Sequence, residues 1–201
     1  MSESLKQTKT LTFHSDTLLE RDNLKTTRLR KSDPADTYKK YTETVKVALP
    51  KTRGSLAEAR IIPLLQKRRS LRAYSDEPVT IDHLAFLLWA SQGLTAQAGK
   101  HFLRTAPSAG ALYPIETYLS VQNLATLSPG LYHFDPLLFQ LELLKDKNIK
   151  ADICRAFLDQ AFMKNAAVNI IWTAISRRSI AKYGDRGGRY LLLDAAHICQ
   201  N

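Results

Sequence analysis

The chain has 201 residues, long enough for one domain, or one domain with an arm, to bury a core without disulfides or a structural metal. Hydrophobic residues make up 44% and charged residues 24%, which excludes wholesale disorder. Twenty-nine basic residues against 19 acidic ones leave a formal charge of +10, a surplus that calls for an anionic partner: nucleic acid, an anionic membrane or a phosphate-bearing cofactor. No apolar run approaches the roughly 20 residues of a membrane helix, and the N-terminal MSESLKQTKT has no apolar segment of the kind that marks a secretory signal. Cys154 and Cys199 lack metal or C-x-x-C spacing and read as reduced core thiols, which points to a cytoplasmic location.

All eight glycines fall from Gly54 onward. Residues 1–58 read as a mostly irregular arm lying on the body, with short helical turns at most. Its basic run, Lys25 to Lys31, reads as a solvated face in preference to a nucleic-acid contact. The body, residues 59–201, opens with a helix near Ile61, with Pro63 in its first turn and LLQKRR continuing it. An extended link follows. Thr80 then caps a helix in which Asp82 occupies the first turn, Ile81, Leu84, Leu88 and Ser91 mark one side, and Leu87 and Trp89 widen the apolar surface; Gly93 stops it. Residues 94–104 are polar and read as a loop, and TAPSAGALYP as a turn-rich segment. Ile115–Val121 alternates like a strand, and Leu131–Phe134 and Phe139–Leu144 read as a strand pair joined through Asp135-Pro136. A helix is predicted from Asn148 to about Phe162, with Ile153, Ala156, Phe157 and Ala161 inward. The unbroken apolar run Ala167–Ser176 predicts a central buried strand. Arg177–Tyr183 forms a short helix or turn, and a last helix runs from about Gly188 to the end. Helices and strands intermix without strict βαβ alternation, so the fold class is α+β.

Three segments can carry chemistry. Lys67-Arg68-Arg69-Ser70-Leu71-Arg72 sets four cations and a hydroxyl at a helix end; arginine forks match phosphate oxygens, although cations complementing a helix C-terminus are the plainer reading of composition alone. Pro107-Ser108-Ala109-Gly110 has small residues that let backbone approach a flat ligand, and is equally an ordinary loop with a turn glycine. Lys182 and Tyr183 stand side by side before Arg186, paired glycines and Arg189, where a base or a capped helix start both fit. Asp194 and His197 sit at i, i+3 on the last helix, and a packing role is preferred for the histidine. No histidine pair has metal spacing, and neither a G-x-S-x-G elbow nor a phosphate-loop motif is present.

Taken in order, KRRSLRAYSDEPVTIDHLAFLLWASQGLT, RTAPSAGALYPIETYLSV, SPGLYHFDPLLFQLELL and KYGDRGGRYLLLDAAHICQN resemble the nitroreductase-like flavoproteins, specifically their SagB-type (thiazole/oxazole-forming) dehydrogenase branch. The resemblance covers about residues 60–201. It implies an α+β nitroreductase-like fold with a mixed sheet flanked by helices, a homodimer, and FMN at the dimer interface, with NAD(P)H a candidate electron donor. By position it implies that Arg68, Ser70 and Arg72, with Arg69 in the same motif, bind the FMN phosphate and ribityl chain; that Pro107, Ser108, Ala109 and Gly110 contact the flavin; that Lys182 and Tyr183 serve in proton removal; and that the helix of Asp194 and His197 packs at the dimer centre. The implied activity is hydride transfer between flavin and a small or peptide heterocycle. Two departures stand out: Gly188 occupies a position where an aromatic is usual, and the pattern expects further helix, a glycine-bearing loop and another strand after Asn201. The alternative function is a catalytically idle dimerising fragment or interaction subunit. A nucleic-acid module is disfavoured, because no recognition helix, zinc spacing or aromatic RNA platform is present.

Overall fold

The computed structural model describes residues 35–51, 60–99 and 101–201. The basic run Lys25–Lys31 lies outside them.

A five-stranded sheet organises the chain in the order β1-β6-β5-β4-β7, from strands β1 (Lys46–Ala48), β4 (Ile115–Val121), β5 (Gly130–Asp135), β6 (Gln140–Lys145) and β7 (Val168–Ala174). Its ladders are antiparallel, and the parallel component is an isolated bridge between Val79 and Leu124. The helices are α1 (Ile61–Lys67), α2 (Ile81–Gln92), α3 (Lys150–Ala156), α4 (Ser176–Tyr183) and α5 (Gly187–Gln200).

Alternation along the strands sorts residues onto two faces. One face is apolar: Leu119, Val121, Tyr132, Phe134 and Leu141 pack against Leu84, Ala85 and Leu88 of α2. Each large side chain sealed here contributes about 1.5–3 kcal/mol. A satellite core joins Ala106, Ile115 and Trp172 to Ala195 and Ile198 of α5, and so fixes the last helix against the same face. Helix α2 begins as expected, the Thr80 hydroxyl accepting from the His83 N–H at 3.2 Å and Asp82 complementing the N-terminal dipole. Leu84, Leu88 and Ser91 are buried; Leu87, expected to be packed, is half exposed because it points off the core-facing side.

The structure corrects several expectations. Residues 94–104 form a hairpin, β2 (Leu94–Ala98) with β3 (His101–Arg104), turning at Gly99; the alternation of small and polar residues there is strand spacing with little apolar content to advertise it. Part of the arm is also structured: Lys46–Ala48 adds an edge strand against β6, and Leu49 enters the main core. The helix expected to reach Phe162 stops at Ala156, and the chain turns through Leu158 and Asp159 at positive φ into a short 3-10 turn, Ala161–Lys164. There the Gln122 and Asn169 side-chain amides both donate to the Met163 carbonyl, at 3.1 and 3.0 Å, and pull that turn to the sheet. Ile153 and Cys154 are buried on α3, whereas Ala156, Phe157 and Ala161 are exposed. The apolar run of β7 is an edge strand rather than a central one, since among the described residues it pairs with β4 alone. Of the two thiols, Cys154 is buried and Cys199 exposed.

Candidate functional site

The segment from Pro107 to Tyr113 connects β3 to β4 and is held from below. The Ser108 hydroxyl donates to Asp194 Oδ2 at 2.6 Å, and the Ala109 N–H donates to Asp194 Oδ1 at 3.2 Å. Ser108 Oγ in turn accepts the Tyr113 N–H at 2.9 Å. The Tyr113 carbonyl accepts from Arg178 Nη1 at 2.9 Å, and its phenol oxygen accepts the Arg104 N–H at 3.1 Å. Between these anchors Gly110, Ala111 and Tyr113 take φ of 65°, 53° and 45°, a left-handed backbone that side chains disfavour.

This turn presses the Gly110 backbone onto the end of α4. A Cβ at Gly110 would stand 2.5 Å from Tyr183 Oη and 2.6 Å from Lys182 Nζ. Two of the three candidate segments therefore meet, although more than seventy residues separate them. Lys182 lies with its Nζ 5.4 Å from the Tyr183 ring centroid, and the Tyr183 ring meets Tyr190 edge-on at 4.7 Å. Arg186, a candidate neighbour of Lys182, donates from Nε to Tyr190 Oη at 2.7 Å. The two helices can approach this closely because Gly187 is bare: a Cβ there would fall 2.9 Å from the backbone of Ser179 and Ile180.

The third segment stands apart within one chain. Lys67 ends α1, and Arg68, Arg69, Ser70 and Arg72 follow on an exposed extended stretch. Arg69 turns back to the carbonyls of Gln66 and Arg68, and Arg72 lies 5.6 Å from the Phe162 ring centroid. Among the described residues neither Arg68 nor Arg72 pairs with a carboxylate, which leaves both guanidinium groups available to an anion. Exposed arginines free of carboxylates suit the oxygens of a phosphate, and the Gly110 backbone sets a lysine and a tyrosine, two groups able to carry a proton, side by side. Asp194 does not orient His197 as i, i+3 spacing allows; Asp194 is buried under Ser108, and His197 is exposed.

The sequence reading missed a buried charged network on the second face of the sheet. His133 on β5 bridges Glu116 on β4 and Glu142 on β6, each ring nitrogen 2.8 Å from a carboxylate oxygen. Arg178 pairs with Glu116, and Lys46 with Glu142, so basic and acidic side chains alternate from α4 to β1. Burial pushes both carboxyls up, but hydrogen bonds and charge from His133 with Arg178 hold Glu116 below the ordinary value, and those from Lys46 and His133 do the same for Glu142. Alternation along each strand puts these residues on one face. Only the register Tyr118↔His133↔Glu142 makes them neighbours. The segment before β1 lies over this face: Lys39 Nζ donates to Tyr118 Oη at 2.7 Å, Tyr41 meets His133 edge-on at 5.1 Å, and Arg178 Nε donates to the Asp36 carbonyl at 2.6 Å.

Residues 65–201 match the Nitroreductase family. Putative nitroreductase MJ1384 of Methanocaldococcus jannaschii is 33% identical over 159 residues, covering 79% of this chain and 77% of that protein. The crystal structure of a putative nitroreductase from Anabaena variabilis superposes with a TM-score of 0.71 at 27% identity, over 93% of this chain and 36% of that one. The chain thus spans about a third of the length of the Anabaena protein. A putative nitroreductase from Ralstonia eutropha gives 0.60 at 23% identity, over 77% of this chain and 68% of that one. A chain of the E. coli microcin synthetase McbBCD complex gives 0.51 at 19%, over 94% and 69%. These last two likenesses are of fold alone.

Proposed function

This chain belongs to the nitroreductase family, and from that premise we propose that it is an FMN-dependent oxidoreductase of the SagB type, acting on a small or peptide heterocycle. The observation that carries the reading is the meeting of Gly110 with Lys182 and Tyr183. It sets a bare stretch of backbone beside two groups able to move a proton.

When bound, FMN supplies the hydride-level redox chemistry, and the protein supplies binding, orientation and electrostatics. Arg68, Ser70 and Arg72 would hold the phosphate and ribityl chain by charge-assisted hydrogen bonds, with Arg69 in support. Pro107, Ser108, Ala109 and Gly110 would contact the ring through their backbone. Lys182 as the free amine, or Tyr183 as the phenolate, would take the proton from the substrate ring, the matching hydride being what the bound flavin accepts. NAD(P)H is the electron donor in the reducing direction. The working unit is a homodimer, because the cation cluster is separate from the Gly110 turn within one chain and Ile61, Ile62, Leu64 and Leu65 of α1 present exposed apolar side chains. The catalytic body would comprise residues 59–201, completed by the edge strand Lys46–Ala48 and by Leu49 from the segment before it. No helix among the described residues is long and apolar enough to cross a membrane; together with the exposed Cys199 thiol, this fits a cytoplasmic protein.

The test is stoichiometric titration of the purified protein with FMN, followed by flavin absorbance and fluorescence. Tight binding of one FMN per protomer is expected. A colourless protein that takes up no FMN overturns the reading. It would favour a dimerising interaction subunit, for which the exposed apolar side chains of α1 and α5 speak equally well.

A further inference from the structure

We propose that Asp194 is a positioning residue for the flavin-contacting turn: it clamps Ser108 and Ala109 so that the strained backbone of residues 110–113 presents Gly110 to Lys182 and Tyr183. This rests on the flavin reading for its functional consequence, and on the geometry alone for the clamp.

The argument begins with strain. Three residues in the four-residue stretch Gly110–Tyr113 hold left-handed φ, and two of them, Ala111 and Tyr113, carry side chains that disfavour it. Such a turn persists only where its surroundings over-determine it. Asp194 is 4% exposed and has two oxygens, each with one partner in the turn. A carboxylate accepting from an O–H and an N–H makes charge-assisted bonds, stronger than neutral ones. The Ser108 hydroxyl is used twice, donating to Asp194 and accepting from Tyr113 N–H, so the clamp reaches both ends of the strained stretch. Arg178 and the Arg104 N–H hold Tyr113 from its carbonyl and its phenol.

Placement on α5 gives the clamp its leverage. Ile198, one turn further along, is packed with Ala106 and Ile115 at the two roots of the loop. At its other end α5 starts at Gly187, whose carbonyl accepts the Ser179 hydroxyl at 3.1 Å. Helix α5 therefore touches both the loop and α4, which carries Lys182 and Tyr183. Asp194 sets where the loop stands relative to that pair. It contacts neither reacting group itself.

Asp194→Asn and Ser108→Ala test the proposal on the full chain by hydrogen exchange and FMN titration. In Asp194→Asn, Oδ1 can still accept from Ala109, but the charge and the acceptor for Ser108 are lost. Amides across residues 105–114 are expected to exchange about tenfold faster or more, with β5 and β6 unchanged, and FMN binding to weaken about tenfold or more. Ser108→Ala, which removes the bond to Asp194 and also the acceptor of the Tyr113 N–H, is expected to speed exchange in the same amides and serves if Asp194→Asn does not fold. Because Ser108 also accepts the Tyr113 N–H, which Asp194→Asn leaves in place, combining the two is expected to speed exchange at Tyr113 beyond Asp194→Asn alone. Unchanged exchange at 105–114 in both variants overturns the proposal. So does faster exchange spread evenly over the sheet, which is the signature of a general core residue. So does FMN affinity that stays at the wild-type value while the loop exchanges faster. If the wild-type protein binds no FMN, the flavin reading fails on that result, and the exchange comparison still decides whether Asp194 is the clamp.

Discussion

Gly110 shows at the scale of one residue how the site is assembled. Its φ of 65° and its contact with Lys182 and Tyr183 impose two separate demands on the same position. Alanine meets neither, because its Cβ would occupy the space of Lys182 Nζ and Tyr183 Oη and would strain the backbone. Gly110→Ala is expected to cost about 1 kcal/mol or more in urea unfolding and to weaken FMN binding by displacing the lysine–tyrosine pair. Wild-type stability and FMN affinity in that variant would refute the close approach. Lys182, Tyr183, Ser108 and Gly110 were legible as candidates because unusual residue types stood together. Asp194 was visible as a partner for His197, one turn away, on a helix that the resemblance places at the dimer centre. Its actual partners lie more than eighty residues distant, and local spacing carries no trace of them.

At the scale of elements, the charged ladder across β1, β6, β5 and β4 is the main structural commitment of the sheet's second face. Glu116 and Glu142 both titrate below their ordinary value of 4.5 when folded. Their stabilisation is therefore complete above the unfolded value and is lost as pH falls through the folded ones. Urea unfolding followed from pH 7 downward is expected to show a steep loss of stability below about pH 4.5. Glu142→Gln is expected to flatten that limb and to cost about 3 kcal/mol at pH 7, since it strands His133 and Lys46. An unchanged acid limb in Glu142→Gln would mean that Glu142 contributes nothing to acid sensitivity. Strand existence was legible here from alternation. Which strand lay at the edge was not: an apolar run such as Val168–Ala174 reads as central, yet edge position is a matter of how many neighbours the strand acquires.

At the scale of the molecule, one chain leaves apolar surface unpaired. Ile61, Ile62, Leu64 and Leu65 on α1 are 56–68% exposed, and Leu192 on α5 is 72% exposed. A seven-residue helix with no buried side chain among the described residues is marginal on its own, and on the proposed dimer reading a second subunit covers it. Sedimentation is expected to show a dimer, and Leu65→Glu is expected to shift it toward monomer with a parallel fall in FMN binding. A wild-type monomer with full FMN affinity would place the whole site in one chain and refute the dimer. The sequence by itself determined the α+β class, most strands, the capped α2 helix and the order of the motifs, because these depend on periodicity, capping and turn chemistry that act over a few residues. It also supplied the identity of the candidate groups. Only the tertiary structure decided that Gly110 rests on Lys182 and Tyr183, that Asp194 serves the loop, that the hairpin at 94–104 exists, and that Glu116, His133 and Glu142 share one face in register. Each of these depends on contacts between elements remote in sequence, where backbone packing and strand register, not local preference, set which side chains meet.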